Sequence, residues 1–368
     1  MVMEVLERAK QLEYEGINII HMEVGEPDFQ IPACAKSALL AALDSNQTHY
    51  THSLGNYSLR QTIAKLYADE YNTIFSPDNV VVTSGSSPAI LMVLQLLCNV
   101  GDEVIIFNPG YACYRNFILA ANAVPVEVKL NPDDGFKINV EEIKAKISPK
   151  TRAIMVNSPS NPFGYLIPEQ TLKEIANLGI PIISDEIYHG LVYQNKAHSI
   201  LEYTDNAFVI NGFSKRYAMT GLRLGYIIAP LKYMRKLQIL QQNLFICAPS
   251  LSQEAGLHAI LNAADDVKHS CEIYNQRREF LVSQLSKIGF GIAAQPEAAF
   301  YVFADARKYT NNSYKFAFDI LENAHVGVTP GTDFGSQGEG FIRFSYANSL
   351  DNIKEGLNRI DQYLKKTQ

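Results

Sequence analysis

The 368-residue sequence lacks most of the features that would settle its class at a glance. Its longest apolar run, Ala89 to Val100, is too short to span a bilayer and is interrupted by Gln95. There is no Lys/Arg-rich block, and the net charge of −6 is mild, which argues against nucleic acid or an anionic membrane as partner. Cysteine is sparse: Cys34, Cys98, Cys113, Cys247 and Cys271 are odd in number and show no C-x-x-C spacing. That pattern fits reduced thiols in a cytoplasmic protein. The eight histidines form no H-E-x-x-H or similar ligand pattern, so no metal site is assigned. No G-x-G-x-x-G follows the first strand-like run, which argues against a bare dinucleotide-binding protein. Internal repeats and low-complexity segments are absent as well.

What is present is alternation. Hydrophobic residues make up 47% of the chain and charged ones 19%, enough for a substantial interior, and the length suggests two domains. The N-terminal "MVMEVLERAKQLEYEGINII" reads as an amphipathic helix carrying Glu4, Glu7 and Glu13, not as a signal peptide. Runs 79–83, 103–107, 124–130, 152–156, 180–184 and 208–212 read as strands. Helix-like windows at 87–98, 112–121, 139–147 and 168–178 lie between them. Strands this uniformly apolar predict an α/β fold with a mostly parallel sheet covered by helices on both faces. From about Leu231 the pattern changes to long helices, isolated strands at 298–304 and 340–346, and a last helix at 350–365. This predicts a second, smaller α+β domain. We place the large domain at 36–255 and the small one at 1–35 with 256–368.

Open parallel sheets bind ligands beyond the carboxyl ends of their strands. Gly85, Ser86 and Ser87 follow the first strand, with Pro88 in the first turn of a helix. They read either as an ordinary cap or as a phosphate cradle of free N–H groups. Tyr111, in "NPGYACY", either packs in the core or offers its face to a planar ligand. Asn161, in "NSPSNPFG", sits in a rigid Asn-Pro turn. "SDEIYHG" supplies Asp185, Glu186 and Tyr188; its acids suit a metal, a helix cap or a protonated ring nitrogen. "FSKRYAMTGLRLGY" brings Ser214, Lys215 and Arg223 together. Five successive strand ends thus carry a cradle, an aromatic ring, an amide, a carboxylate and a lysine.

Pyridoxal phosphate chemistry requires all five. The lysine forms a Schiff base with the aldehyde, the carboxylate keeps the pyridine nitrogen protonated, and the phosphate needs backbone donors and an arginine. The attacking lysine must be neutral, well below its ordinary pKa of about 10.4, and Arg223 disfavours its charged form.

The stretches "GEPDF", "HYTHSLGNYSLR", "NSPSNPFG", "SDEIY", "SKRYAMTGLRLG" and "FIRFSYA", in this order, make the chain resemble the fold-type I, class I/II aminotransferases along essentially its whole length. The resemblance implies that Lys215 carries the cofactor and moves the proton, while Asp185 partners the ring nitrogen. By the same token Asn161 and Tyr188 hold the ring oxygen and Tyr111 stacks on the ring. Gly85, Ser86, Ser87, Ser214 and Arg223 surround the phosphate. Gly25 and Arg343, with Asn161, receive the substrate α-carboxylate. Tyr50 reaches the phosphate of a second subunit, which implies a homodimer. The implied reaction exchanges an amino group between an L-amino acid and a 2-oxo acid, 2-oxoglutarate expected, through a pyridoxamine phosphate form. A carbon–sulfur β-lyase on the same fold and a non-catalytic sensor are the alternatives. Two departures stand out: Pro88 follows the cradle where many relatives carry an acidic or amide residue, and no N-terminal arm precedes the first helix.

Overall fold

A computed structural model describes residues 2–367. Seven strands form the larger sheet: β1 Val80–Thr83, β2 Glu103–Asn108, β3 Val124–Lys129, β4 Thr151–Asn157, β5 Ile182–Asp185, β6 Ala207–Gly212 and β7 Gly225–Ile228. Across the sheet the order is β1-β7-β6-β5-β4-β2-β3. Strands β2 to β6 pair in parallel, and β7 runs antiparallel to both β1 and β6. The six expected strands are therefore present with ends shifted by a residue or two. The reversed strand β7 was not foreseen as part of the sheet.

The alternating direction of successive strand side chains sorts the core into two layers. Val80, Val82, Ile105, Ile154, Val156, Ile182, Val209 and Ile228 face one layer. Val81, Val104, Ile106, Met155, Ile183, Phe208, Ile210 and Ile227 face the other. Both faces are covered, as the uniform apolar runs predict. The exception is the edge strand β3, which begins with exposed Val124.

The smaller sheet is antiparallel, built on β9 Tyr301–Asp305 and β11 Phe341–Ser345, flanked by β8 Gly291–Ile292 and β10 Thr329–Pro330. It packs in its own cluster around Phe300, Val302, Ile342 and Phe344 with the C-terminal helix Leu350–Thr367. Near the N-terminus, Ile20–His21 pairs in parallel with Val326–Gly327. That pairing carries the segment 22–28 back across the strand ends of the large sheet. No helix among the described residues is long and apolar enough to cross a membrane.

Candidate active site

The reversal of β7 brings its beginning to the edge where the parallel strands end. Lys215 lies in the loop that leaves β6, and Arg223 lies just before β7, so both face that edge. The loop is closed at its base by Phe213 N–H donating to Leu224 O at 3.1 Å. Arg223 adopts a left-handed backbone (φ 49°) and its Nη1 donates to Thr220 O at 2.8 Å.

On the neighbouring strand, Gly85 caps the helix Ser86–Leu97 with φ 100° and without a side-chain cap, which leaves the first-turn N–H groups open. A Cβ on Gly85 would lie 2.6 Å from Arg223 Nη2, and one on Gly225 would lie 2.8 Å from Ser86 N. The two glycines let the arginine and the helix start close on one small volume. Pro88, inside the first turn, costs no intrahelical bond there.

A cavity of about 470 Å³ opens at these strand ends, within the size range of small-ligand sites. Gly25, Ser86, Ser87, Tyr111, Asn161, Asp185, Tyr188, Lys215 and Arg343 all line it. Gly85, Ser214 and Arg223 are not on its wall. Ser214 is buried beside Lys215, and Arg223 lies over Gly85. Tyr50 is not brought to this cavity: it is 81% exposed, on the loop ahead of helix Tyr57–Tyr71.

Lys215 Nζ donates to Gly25 O at 2.5 Å. Burial pushes its pKa down to about 8; Arg343 and Arg223 act in the same direction, against Glu26 and Asp185. Burial, more than the nearby Arg223, is therefore the chief cause of the shift. Asp185, 4% exposed, accepts from Tyr114 Oη at 2.6 Å and from Ile187 N–H at 3.2 Å. Burial pushes it up to about 6, against those two bonds and Lys215.

Arg343 is 4% exposed, and its described hydrogen-bond partners are all neutral: Asn161 Oδ1 at 3.0 Å, Glu23 O at 2.5 Å and Thr329 Oγ1 at 3.2 Å. Its Nε has no partner among the described residues. A buried guanidinium with neutral partners favours an incoming anion. Its plane rests on Tyr301, whose ring centre lies 4.3 Å from Cζ.

Among the lining residues that escaped the sequence reading are Tyr301, Tyr114 and Phe334. Tyr301 Oη hydrogen-bonds Tyr188 Oη at 2.9 Å and occupies the space beside Gly25, where a Cβ would meet it at 1.8 Å. Tyr114 holds Asp185; its three-residue spacing from Tyr111 was the available signal. Phe334 packs 5.0 Å from Arg343 Cζ, and nothing local marked it. The first helix, Val2–Tyr14, also reaches the cavity through Met3 and Leu6, so the wall has an N-terminal component. Among the described residues, no group of three or more His, Cys, Asp or Glu is placed to hold a metal.

Residues 17–360 match the family described as Aminotransferase class I and II. The chain belongs to that family. A (5-formylfuran-3-yl)methyl phosphate transaminase from Methanocaldococcus jannaschii is 42% identical, over 99% of this chain and 96% of its own. A valine–pyruvate aminotransferase from Mycobacterium tuberculosis is 36% identical over 99% of this chain and 95% of its own. The aspartate aminotransferase from Thermus thermophilus, solved with maleate, superposes with a TM-score of 0.95 at 31% identity, covering 98% of this chain and 96% of that one. The protein is thus an aminotransferase, of a family that uses pyridoxal phosphate.

Proposed function

We propose that this aminotransferase carries pyridoxal phosphate on Lys215 and exchanges the amino group of an L-amino acid with a 2-oxo acid, 2-oxoglutarate being the first acceptor to assay. The observation that carries the reading is the convergence of Lys215, Asp185 and Arg343 on one cavity from three separate elements. The relatives' names span a furan phosphate, valine with pyruvate, and aspartate, so membership alone leaves the donor open.

The residues fit the cofactor. The open helix start at Ser86 and Ser87, the two close-packed glycines and Arg223, with Ser214, suit a phosphate. Tyr111 supplies an aromatic face, and Asn161 with Tyr188 supplies polar groups for a ring oxygen. Asp185 supplies the carboxylate for a ring nitrogen. When bound, the cofactor provides an aldehyde that condenses with amines and a ring that accepts the electron pair released at Cα.

The chain's own groups do the rest. Lys215, lowered to about 8, loses its proton at mildly alkaline pH, far more readily than an exposed lysine, and can then take one from the substrate Cα. Arg343 grips the α-carboxylate through a planar fork, steadied by Asn161 and the Tyr301 ring. Gly25 lets the backbone close over that carboxylate. Burial of Asp185 raises its pKa when it stands alone, and a cationic ring nitrogen would hold it ionised.

The reading divides the chain into a cofactor-binding unit, 36–255, and a smaller unit of 1–35 with 256–368, a division that the separate seven-stranded and four-stranded sheets support. It also places a second copy against Tyr50, whose exposure away from its own cavity supports a reach to a neighbouring site. Sedimentation of the purified protein as a monomer would overturn that placement. The test of the whole proposal is chemical. Borohydride should fix the cofactor to Lys215, located by peptide mapping; a label on any other lysine overturns the assignment.

A further inference from the structure

We propose that the outer end of this cavity is a side-chain pocket for large uncharged groups, so that leucine, methionine and phenylalanine are better donors than aspartate. The inference rests on the transamination reading above.

Charge comes first. Among the described lining residues the charged groups are Asp185, Lys215, Asp333 and Arg343. The reading assigns Lys215 to the amine and Arg343 to the α-carboxylate, and both cations are then engaged. A second carboxylate on the substrate would then find no further cation among the described lining residues. Desolvating it without a partner is costly.

Shape comes second. The first helix packs on the small unit through Val5, Ala9 and Leu12, which meet Ile19 and Leu321. At about 100° per residue, Leu6 projects roughly a quarter of a turn and Met3 nearly half a turn away from the middle of that face. They are therefore not needed to dock the helix, and they stand on the cavity wall with Val24, Ile90 and Phe334. Met3 is 60% exposed, an apolar side chain with its surface still available. A single methylene in such a pocket discriminates about tenfold or more.

The experiment follows cofactor absorbance in the holoenzyme after mixing with one donor at a time. Leucine, methionine or phenylalanine should exceed aspartate in kcat/KM by at least about tenfold. Leu6→Arg adds a cation to the wall and should cut the leucine-to-aspartate ratio at least about fivefold. A merely structural effect would scale both donors alike, and a melting curve checks that the variant is folded. Aspartate equal to or better than the apolar donors, or an unchanged ratio in folded Leu6→Arg, overturns the pocket while leaving transamination intact. If no amino acid changes the spectrum, the transamination reading fails and the pocket falls with it.

Discussion

Asp185 and Glu186 are neighbours in the chain and both are buried acids, yet they belong to different worlds. Asp185 ends β5 on the face of Ile183 and accepts two hydrogen bonds, from Tyr114 and Ile187. Glu186 turns to the opposite face, where four donors converge on it. Ser184 Oγ and Ser199 Oγ each lie at 3.0 Å, and Ile200 N–H and Tyr67 Oη each lie at 3.1 Å. Burial raises both, Asp185 to about 6 and Glu186 to about 7. Perturbation alone therefore does not separate a working acid from a structural one. What separates them is unused capacity: Asp185 lines the cavity with acceptor sites to spare, whereas Glu186 is closed in. His189 extends the closed side. Its Nε2 bonds to Ser158 O at 2.9 Å and its Nδ1 to Tyr71 Oη at 2.7 Å, and burial pushes it down to about 3, so it is neutral.

The strongest attack on this comparison is Asp185→Ala. On the role proposed here, the chemical step should fall about a thousandfold or more, about 4 kcal/mol in the barrier, with little change in melting temperature. Near-normal single-turnover rates would erase the distinction between the two acids.

Glu186→Gln should do the reverse, costing about 1–3 kcal/mol of stability through mismatched donors while leaving turnover within a few-fold. Its pH signature is specific. The folded pKa of Glu186 lies above its ordinary 4.5, so its contribution to stability is present below that value and lost as pH rises toward 7. His189 lies below its ordinary 6.5, so its contribution is present above 6.5 and lost as pH falls toward 3. The two oppose each other between 4.5 and 6.5. In Glu186→Gln the histidine slope is no longer offset by Glu186, and melting temperature should climb more steeply with pH across that window than in wild type. Identical slopes would mean that Glu186 does not titrate as the burial argument requires.

Tyr114→Phe sharpens the comparison at the smallest scale. Asp185 then keeps one donor, its pKa rises further, and the acid limb of the kcat profile should move upward with a loss of about 1 kcal/mol. An unmoved limb would show that the phenol only packs.

Much of this was legible in the sequence, and the reasons differ by element. Parallel strands buried on both faces advertise themselves as apolar runs, so β1 to β6 could be read one by one. The strand β7 could not: "GYII" becomes part of the sheet only because β1 and β6 both accept it in reverse, a tertiary fact. Residues at strand ends were readable because the sheet itself sends them to one edge. Tyr301, Phe334, Met3 and Leu6 reach the cavity from the small sheet, its neighbouring loop and the first helix, through packing across the chain that no local pattern records. Gly25 was noticed by resemblance alone; Tyr301, filling the place of its missing side chain, supplies the physical reason.

The pairing of Ile20–His21 with Val326–Gly327 has a consequence for how the enzyme is born. Glu23 and Arg343 meet although 320 residues separate them in the chain. A ribosome adding roughly 5–20 residues per second would deliver β1 to β7, with Lys215 and Arg223, well before the arginine emerges. Through that interval the growing chain has the strand ends that suit a phosphate but no grip for a carboxylate. On the roles proposed here, cofactor capture can precede substrate recognition, and one residue made early and one made late complete the same contact.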